Sequence, residues 1–158
     1  MADNYNTVMN TRLALPPAPL RFRQEEGMVK VLDPLRRKFV ALTPEEWVRQ
    51  HFVHYLIAYR DYPAGLMGNE LSVNLNSTSR RCDTVVYDRE GKPWMIVEYK
   101  AADVAVTRAV FEQILRYNLV LKAPYLTVSN GMHIYCCRYD HDKGSYDFLD
   151  DLPAYPVD

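Results

Sequence analysis

No stretch of this chain approaches the roughly 20 consecutive apolar residues that a bilayer crossing needs, so no membrane segment is expected. The opening residues, MADNYNTVMNTRLALPPAPLRF, lack a basic segment followed by an apolar one, and no secretory signal is read from them. Cysteine is scarce, with three in 158 residues. Cys136 and Cys137 are adjacent and on a strand would point to opposite faces, which argues against a disulfide framework. Buried free thiols in a reducing cytoplasm are the expectation. Net charge is nearly absent as well, −1 at pH 7, so bulk charge offers no argument for a nucleic-acid partner. No G-x(4)-G-K-[ST] loop occurs, which excludes a phosphate-cradling motor site within these residues. His51 and His54 stand three apart on a helical stretch without a cysteine or a second histidine pair nearby, and a zinc site lacks support. No serine or cysteine has a convincing base partner, which removes the argument for covalent nucleophilic catalysis.

What is present is an ordinary globular composition, 48% apolar and 25% charged, at a length that suits one domain with a real core. The charge is unevenly placed. Six of the 20 acidic residues and one of the 19 basic ones fall in 139–158, leaving 14 acidic against 18 basic before it. The chain therefore divides into a polar and proline-rich arm at 1–19, flexible or draped, a single domain at 20–138, and an acidic C-terminal tail at 139–158. Within the domain an N-terminal hairpin region at 20–42 precedes a core at 43–138.

Alternation at period two through "LRFRQEEGMVKVLDPLRRKFVAL", with turn residues at Glu26-Gly27 and Asp33-Pro34, predicts a small antiparallel meander. Thr43, Pro44 and Glu46 then give a helix start, with Glu46 completing a capping box. Val48, Phe52, Tyr55, Leu56 and Tyr59 follow on one helical stripe, ended by Pro63 and Gly65. "LMGNELSVNLNS", "RRCDTVVYD" and "PWMIVEYKA" read as strands, the last two joined by a turn at "REGK". A second helix is expected over 107–122, capped by Thr107. Two further strands flank Asn130-Gly131, a strong hairpin signal. The strand before and the strand after the second helix form a βαβ unit and should be parallel. The fold class is α/β, a mixed α+β sheet of order helix-strand-strand-strand-helix-strand-strand behind an N-terminal β meander.

The chemistry gathers in "WMIVEYKA", residues 94–101. Glu98 and Lys100 are two apart on a strand and leave the same face, while Tyr99 leaves the other. If the hairpin closes with Asp88 opposite Pro93, Asp83 lies directly across from Glu98 on that face, with Cβ atoms about 5 Å apart. A three-residue turn would shift the register by one and part the carboxylates, unless a bulge restored the phase. Two carboxylates so placed, joined by the Tyr99 carbonyl, make a hard oxygen site of the kind Mg²⁺ or Mn²⁺ favours. Lys100 would project beside it. The alternative for these residues alone is a solvated Glu98–Lys100 pair, with Asp83 paired to Arg80 or Arg81.

The segments "LTPEEWVRQHFVHYL", "RRCDTVVYDREGKPWMIVEYKA", "FEQILRYN" and "TVSNGMHIY" carry a resemblance over roughly residues 20–138. In this order they resemble the common core of the PD-(D/E)XK nuclease superfamily, and more narrowly the family named for the N-terminal domain of the type I restriction enzyme R subunit. The resemblance implies a restriction-endonuclease-like core and a Mg²⁺- or Mn²⁺-dependent DNA endonuclease. Asp83 and Glu98 would bind the ion and Lys100 would be catalytic. A Q-x-x-x-Y pattern falls on Gln113 and Tyr117, one face of the second helix, with Gln113 reaching the site and contacting DNA or ordering the catalytic groups. A further carboxylate would come from Glu46 or Glu70, of which Glu70 is preferred because Glu46 has its capping duty.

Arg80, Arg81, Arg108 and Arg116, with Tyr117, would guide the DNA backbone. Cys82 stands where the superfamily name has proline, a common and harmless variation, and Tyr99 where the family often has cysteine, with its side chain expected to face away from the ion. The full R subunit joins this domain to an ATP-driven motor, so a motor or other restriction subunit is an expected partner. Cutting both strands commonly takes two copies, which makes a homodimer a further expectation. The competing function is a non-cleaving DNA-binding or partner-docking module of a restriction or repair assembly.

Overall fold

The computed structural model describes residues 2–157; Met1 and Asp158, the outer ends of the expected arm and tail, lie outside the described residues. Helix α1 (Ala2–Met9) is followed by strands β1 (Phe22–Glu25), β2 (Met28–Asp33) and β3 (Lys38–Ala41), an antiparallel meander as the alternation predicts. Glu26 and Gly27 both take positive φ, 52° and 75°, so a two-residue turn joins Glu25 to its partner Met28. Val8 of α1 is buried with Val31 and Leu42, and the segment after α1 continues across the core. There the Ala14 amide donates to the Gly131 carbonyl at 2.8 Å.

Helix α2 (Pro44–Arg60) starts as the sequence indicates, with the Thr43 hydroxyl accepting from the Glu46 amide at 3.0 Å. Such a cap contributes about 1 kcal/mol. The return arm of the expected capping box does not form. The Glu46 carboxylate is buried and takes its hydrogen bonds from Arg36, Arg49 and Gln50. Val48, Phe52 and Leu56 are fully buried, but Tyr59, expected on the same stripe, is 56% exposed. The helix ends at Asp61, whose left-handed φ of 58° turns the chain before Pro63.

Strands β4 (Met67–Leu75), β5 (Thr78–Tyr87) and β6 (Pro93–Tyr99), helix α3 (Arg108–Asn118), and strands β7 (Tyr125–Ser129), β8 (Ile134–Asp140) and β9 (Ser145–Leu149) complete the chain. The six strands form one sheet in the order β4-β5-β6-β7-β8-β9. Every neighbour is antiparallel except β6 and β7, which are parallel and joined through α3. Thr107 caps α3 as expected, but the helix stops at Asn118 and a short 3-10 turn carries the chain to Lys122 at φ 55°. The β7–β8 hairpin has four loop residues, not two, because the Asn130 side chain accepts the Met132 and His133 amides and rounds the turn.

The acidic residues from 139 onward contribute to the folded body. β9 pairs with β8, and Leu152 and Tyr155 are buried beyond it. Arg60 and Tyr62 hold the segment through Asp151 and the carbonyls of Leu152 and Pro153.

Alternation along β6 assigns the two helices to the two faces of the sheet. Met95, Val97 and Tyr99 pack with Val48, Phe52, Val53 and Leu56 of α2. Ile96 packs with Phe111 and Leu115 of α3, together with Val85, Leu126 and Val128. Glu98 and Lys100 follow Ile96 in phase, so they emerge under α3. Among the described residues no helix is long and apolar enough to cross a membrane.

Candidate active site

The hairpin joining β5 and β6 decides whether Asp83 and Glu98 meet. Tyr87, not Asp88, lies opposite Pro93. Asp88 instead organises the loop, its side chain accepting the Glu90 and Lys92 amides. That closure alone would set the register one residue off. A bulge between Val86 and Tyr87 corrects it, since Val86 pairs with Met95 and leaves Trp94 as the extra residue. Trp94 then packs on the same core as Met95, which is how two consecutive side chains come to share a face. Beyond the bulge Val85 pairs with Ile96 and Thr84 with Val97, and this phase brings Asp83 to Glu98.

The paired ladder stops there. The Tyr99 amide donates to the Asp83 carboxylate at 2.9 Å, and the Asp83 carboxyl is near enough to Glu98 to oppose its ionisation. On the other side β4 pairs Asn69 with Thr84 and Leu71 with Cys82, without a Glu70–Asp83 rung. Glu70 has φ 55°, a left-handed conformation uncommon for a non-glycine residue in a strand. The Asp83 carbonyl receives Arg49 Nη1 of α2 at 2.9 Å. The same nitrogen donates to Glu70 Oε1 at 2.8 Å, and Arg81 Nε reaches Glu70 Oε2 at 2.8 Å. Burial opposes ionisation of Glu70, but the two arginines outweigh it and hold its carboxyl below the ordinary range.

Glu98 behaves in the opposite way. Burial is the largest cause, and the adjoining Asp83 carboxylate adds to it, so the Glu98 carboxyl is pushed far above the usual carboxylate range. A hydrogen bond from Asn118, buried at the end of α3, acts against this rise without reversing it. The Asn118 amide also donates to the Ile114 carbonyl at 2.9 Å, which fixes its orientation.

A divalent cation suits this pair on the chemistry of the donors: hard oxygens at matched register on adjacent strands, with a like-charge conflict that a proton or a cation relieves. Among the described residues no group of three or more His, Cys, Asp and Glu is arranged to hold a metal. Glu70, engaged by Arg49 and Arg81, is not joined to the Asp83–Glu98 pair as a third ligand, and Glu46 is occupied within its own buried network.

Glu98 and Lys100 form one wall of a cleft of about 370 Å³. Val110, Gln113, Ile114, Tyr117 and Asn118 of α3 form the facing wall, and Arg81 lies at its edge. Asp83, across from Glu98, is not part of the wall. Among the described residues Lys100 makes no ion pair, so the solvated Glu98–Lys100 pair does not form, nor does Asp83 pair with Arg80 or Arg81. Gln113 is exposed, and Tyr117 one turn later is 51% exposed. Arg80 lies over the Tyr117 ring at 4.8 Å and donates to the Tyr117 carbonyl.

The remaining arginines are less concentrated. Arg116 is exposed on α3. Arg108 is paired with Glu112 and lines a separate groove with Phe111, Tyr135 and Phe148. Sequence reading passed over Arg49 and Asn118, both of which touch the site. Arg49 had a signal: Glu46, Arg49, Gln50 and Val53 fall at helical spacing, a polar patch on a face that turns inward. Asn118 had none beyond its place one residue past Tyr117.

No curated protein matches the chain. A family model described as "Type I restriction enzyme R protein N terminus (HSDR_N)" matches residues 44–153, from the first residue of α2 to just past β9. With most of its length so matched, the chain belongs to the family of the type I restriction enzyme R protein N terminus.

Proposed function

We propose that this chain is a divalent-metal-dependent deoxyribonuclease of the PD-(D/E)XK kind. The observation that carries the reading is the strand phase that sets Asp83 across from Glu98, with Lys100 following Glu98 on the same face beneath the helix that bears Gln113. DNA as substrate is taken from the family's place in restriction enzymes.

Asp83 and Glu98, with the Tyr99 carbonyl, would hold Mg²⁺ or Mn²⁺. When bound, the ion supplies Lewis-acid polarisation of a phosphate oxygen. The chain's own groups do the rest. Lys100 has no carboxylate partner among the described residues, so its ammonium is available to a phosphate oxygen or to the attacking water. Asn118 beside Glu98 favours its ionised form, and Asp83 is oriented by the Tyr99 amide. Gln113 and Tyr117 on the facing wall contact the strand backbone, with Arg80, Arg81 and Arg116 guiding it. Arg108, in its own groove, takes a peripheral part. ATP-driven movement would lie outside these residues, which carry no phosphate-binding loop, and a motor or other restriction subunit is the partner proposed.

The test is cleavage of supercoiled plasmid, linear duplex and single-stranded DNA with Mg²⁺ or Mn²⁺, running Lys100→Ala and Glu98→Ala beside the parent. Nicking lost in both variants is expected. Nicked circles without linear product would assign one strand per copy, and linear product at high protein would support a working dimer. A chain that binds DNA and never cuts would be read as a DNA-binding or partner-docking module.

A further inference from the structure

We infer that Arg49 is a positioning residue of this site: its guanidinium replaces the missing β4–β5 rung at Asp83 and holds Glu70 back from the Asp83–Glu98 pair. The inference rests on the metal-nuclease reading above. It goes beyond that reading by assigning the site's geometry to a side chain from a different element.

The geometry is specific. Nη1 donates to the Asp83 carbonyl at 2.9 Å and to Glu70 Oε1 at 2.8 Å, which uses both of its protons. Nε and Nη2 grip the Glu46 carboxylate in a fork, at 2.9 Å and 2.8 Å. Glu46 is fixed in turn by Gln50 and by Arg36, which also binds the buried Asp33. Arg49 itself is only 8% exposed. Its planar fork is therefore locked at one end and applied at the other.

What it is applied to is an irregularity. Glu70 is left-handed and unpaired with Asp83, so the strand carbonyl at the first carboxylate lacks a ladder donor. A buried carbonyl without a donor costs enough that nearly all are satisfied. Arg49 supplies that donor. Asp83 is thereby held from both ends, the main chain by Arg49 and the carboxylate by the Tyr99 amide. A lysine could supply charge but not the same three-way reach, because it lacks the fork.

The experiment measures Mn²⁺ binding by electron paramagnetic resonance and calorimetry, apart from cleavage, for the parent, Arg49→Lys, and the paired variant Glu46→Leu with Arg49→Met. The paired variant removes the buried ion pair with apolar side chains of similar size, a replacement that folds commonly tolerate. The expected result is a folded protein whose Mn²⁺ affinity falls by about tenfold or more, the usual consequence of removing a group that orients a ligand. The metal concentration for half-maximal nicking should rise in step, while the KM for DNA stays near that of the parent.

In the unsubstituted chain, the Arg49 side-chain ¹⁵N signals should be slow to exchange and should shift on adding Mg²⁺. Folded variants that bind Mn²⁺ as the parent does, or Arg49 signals that ignore the metal, would overturn the inference while leaving the nuclease reading intact. A parent chain that binds no Mn²⁺ overturns the reading itself, and the inference falls with it.

Discussion

The Tyr99 amide donates to Asp83 Oδ2 at 2.9 Å, so the strand that carries Glu98 and Lys100 orients the carboxylate of its neighbour. Asp83→Asn keeps an acceptor for that amide and removes the charge that helps hold a proton on Glu98. The metal-free variant should therefore lose part of the decline in stability above the ordinary glutamate range. At mildly alkaline pH it should unfold a few degrees higher than the parent, about 1 kcal/mol for each pKa unit of the rise that Asp83 causes. Nicking should fall by on the order of 100-fold or more. Calorimetric melting at mildly alkaline pH beside a plasmid assay checks both, and a variant that melts no higher there would mean that Asp83 does not hold the proton on Glu98.

Tyr99 points the other way. Its hydroxyl meets Thr84 Oγ1 at 2.8 Å within the α2 core, and Thr84 also reaches the Asn69 side chain. Tyr99→Phe leaves the ring packed against Phe52 and removes one buried hydrogen bond. A loss of about 1 kcal/mol of stability is expected, with nicking near the parent's. A large loss of activity at unchanged metal affinity would mean this side of the strand communicates with the chemistry.

Stability should respond to pH in two separate windows. Asp33 and Glu46 are buried, yet their hydrogen bonds from Asn69, Arg36, Arg49 and Gln50 outweigh burial and hold them below the ordinary carboxylate range. Their contribution is present above that range and is lost as pH falls through their lowered folded values. Glu98 has the reverse sign: burial and Asp83 make the folded state keep a proton that the unfolded chain has released. Stability should thus also decline as pH rises above the ordinary glutamate range. Urea unfolding across pH should show that upper limb flatten in Glu98→Gln and on adding Mn²⁺, with the acid limb unchanged.

Much of this arrangement was legible because strand alternation and helix caps are local. The sequence places Glu98 and Lys100 on one face, and Thr43 and Thr107 at helix starts, without tertiary information. The Asp83–Glu98 meeting was reached through a turn that does not exist as drawn. Tyr87 and not Asp88 closes the hairpin, and the bulge at Trp94 cancels the slip. Period-two reasoning names a bulge as the device that would restore the phase, but the residues alone do not say which closure the hairpin takes. Arg49 and the Glu70 backbone were hidden for a related reason. A charged residue on an inward helix face reads as a surface residue until its partners, Glu46 on the same helix, Glu70 of β4 and the Asp83 carbonyl of β5, are assembled. The acidic residues after 139 misled by composition, since β9, Leu152 and Tyr155 pack despite the charges between them.

The three cysteines offer a readout of unfolding. All are free and buried, with Cys136 and Cys137 in the cores on opposite faces of the sheet. Burial pushes the Cys136 thiol up to about 11 and the Cys82 and Cys137 thiols up to about 12. Almost no thiolate is present at neutral pH, and reagents must wait for the chain to open. Reaction with a colorimetric disulfide reagent should be slow, reach three equivalents, and accelerate in urea in parallel with loss of tertiary signal. Fast reaction of one thiol in the native protein would show that its cover opens locally.

The last relationship links the C-terminal segment to the site through the bulge. Trp94 is the extra residue that restores the Asp83–Glu98 phase. It sits among Tyr62, Tyr125 and Tyr155, with ring centroids 5.7, 5.0 and 5.2 Å away. Tyr155 also donates its hydroxyl to the Tyr87 carbonyl at 2.9 Å, at the bulge itself. Tyr155→Ala should cost about 3 kcal/mol by cavity formation and loss of aromatic contacts. If the bulge depends on this cover, Mn²⁺ affinity should fall too, even at temperatures where the variant is fully folded. Tyr155→Phe separates the contributions, because it keeps the packing and removes only the hydrogen bond. Equal metal affinity in parent and Tyr155→Ala would mean that Trp94 holds the register with Tyr62 and Tyr125 alone.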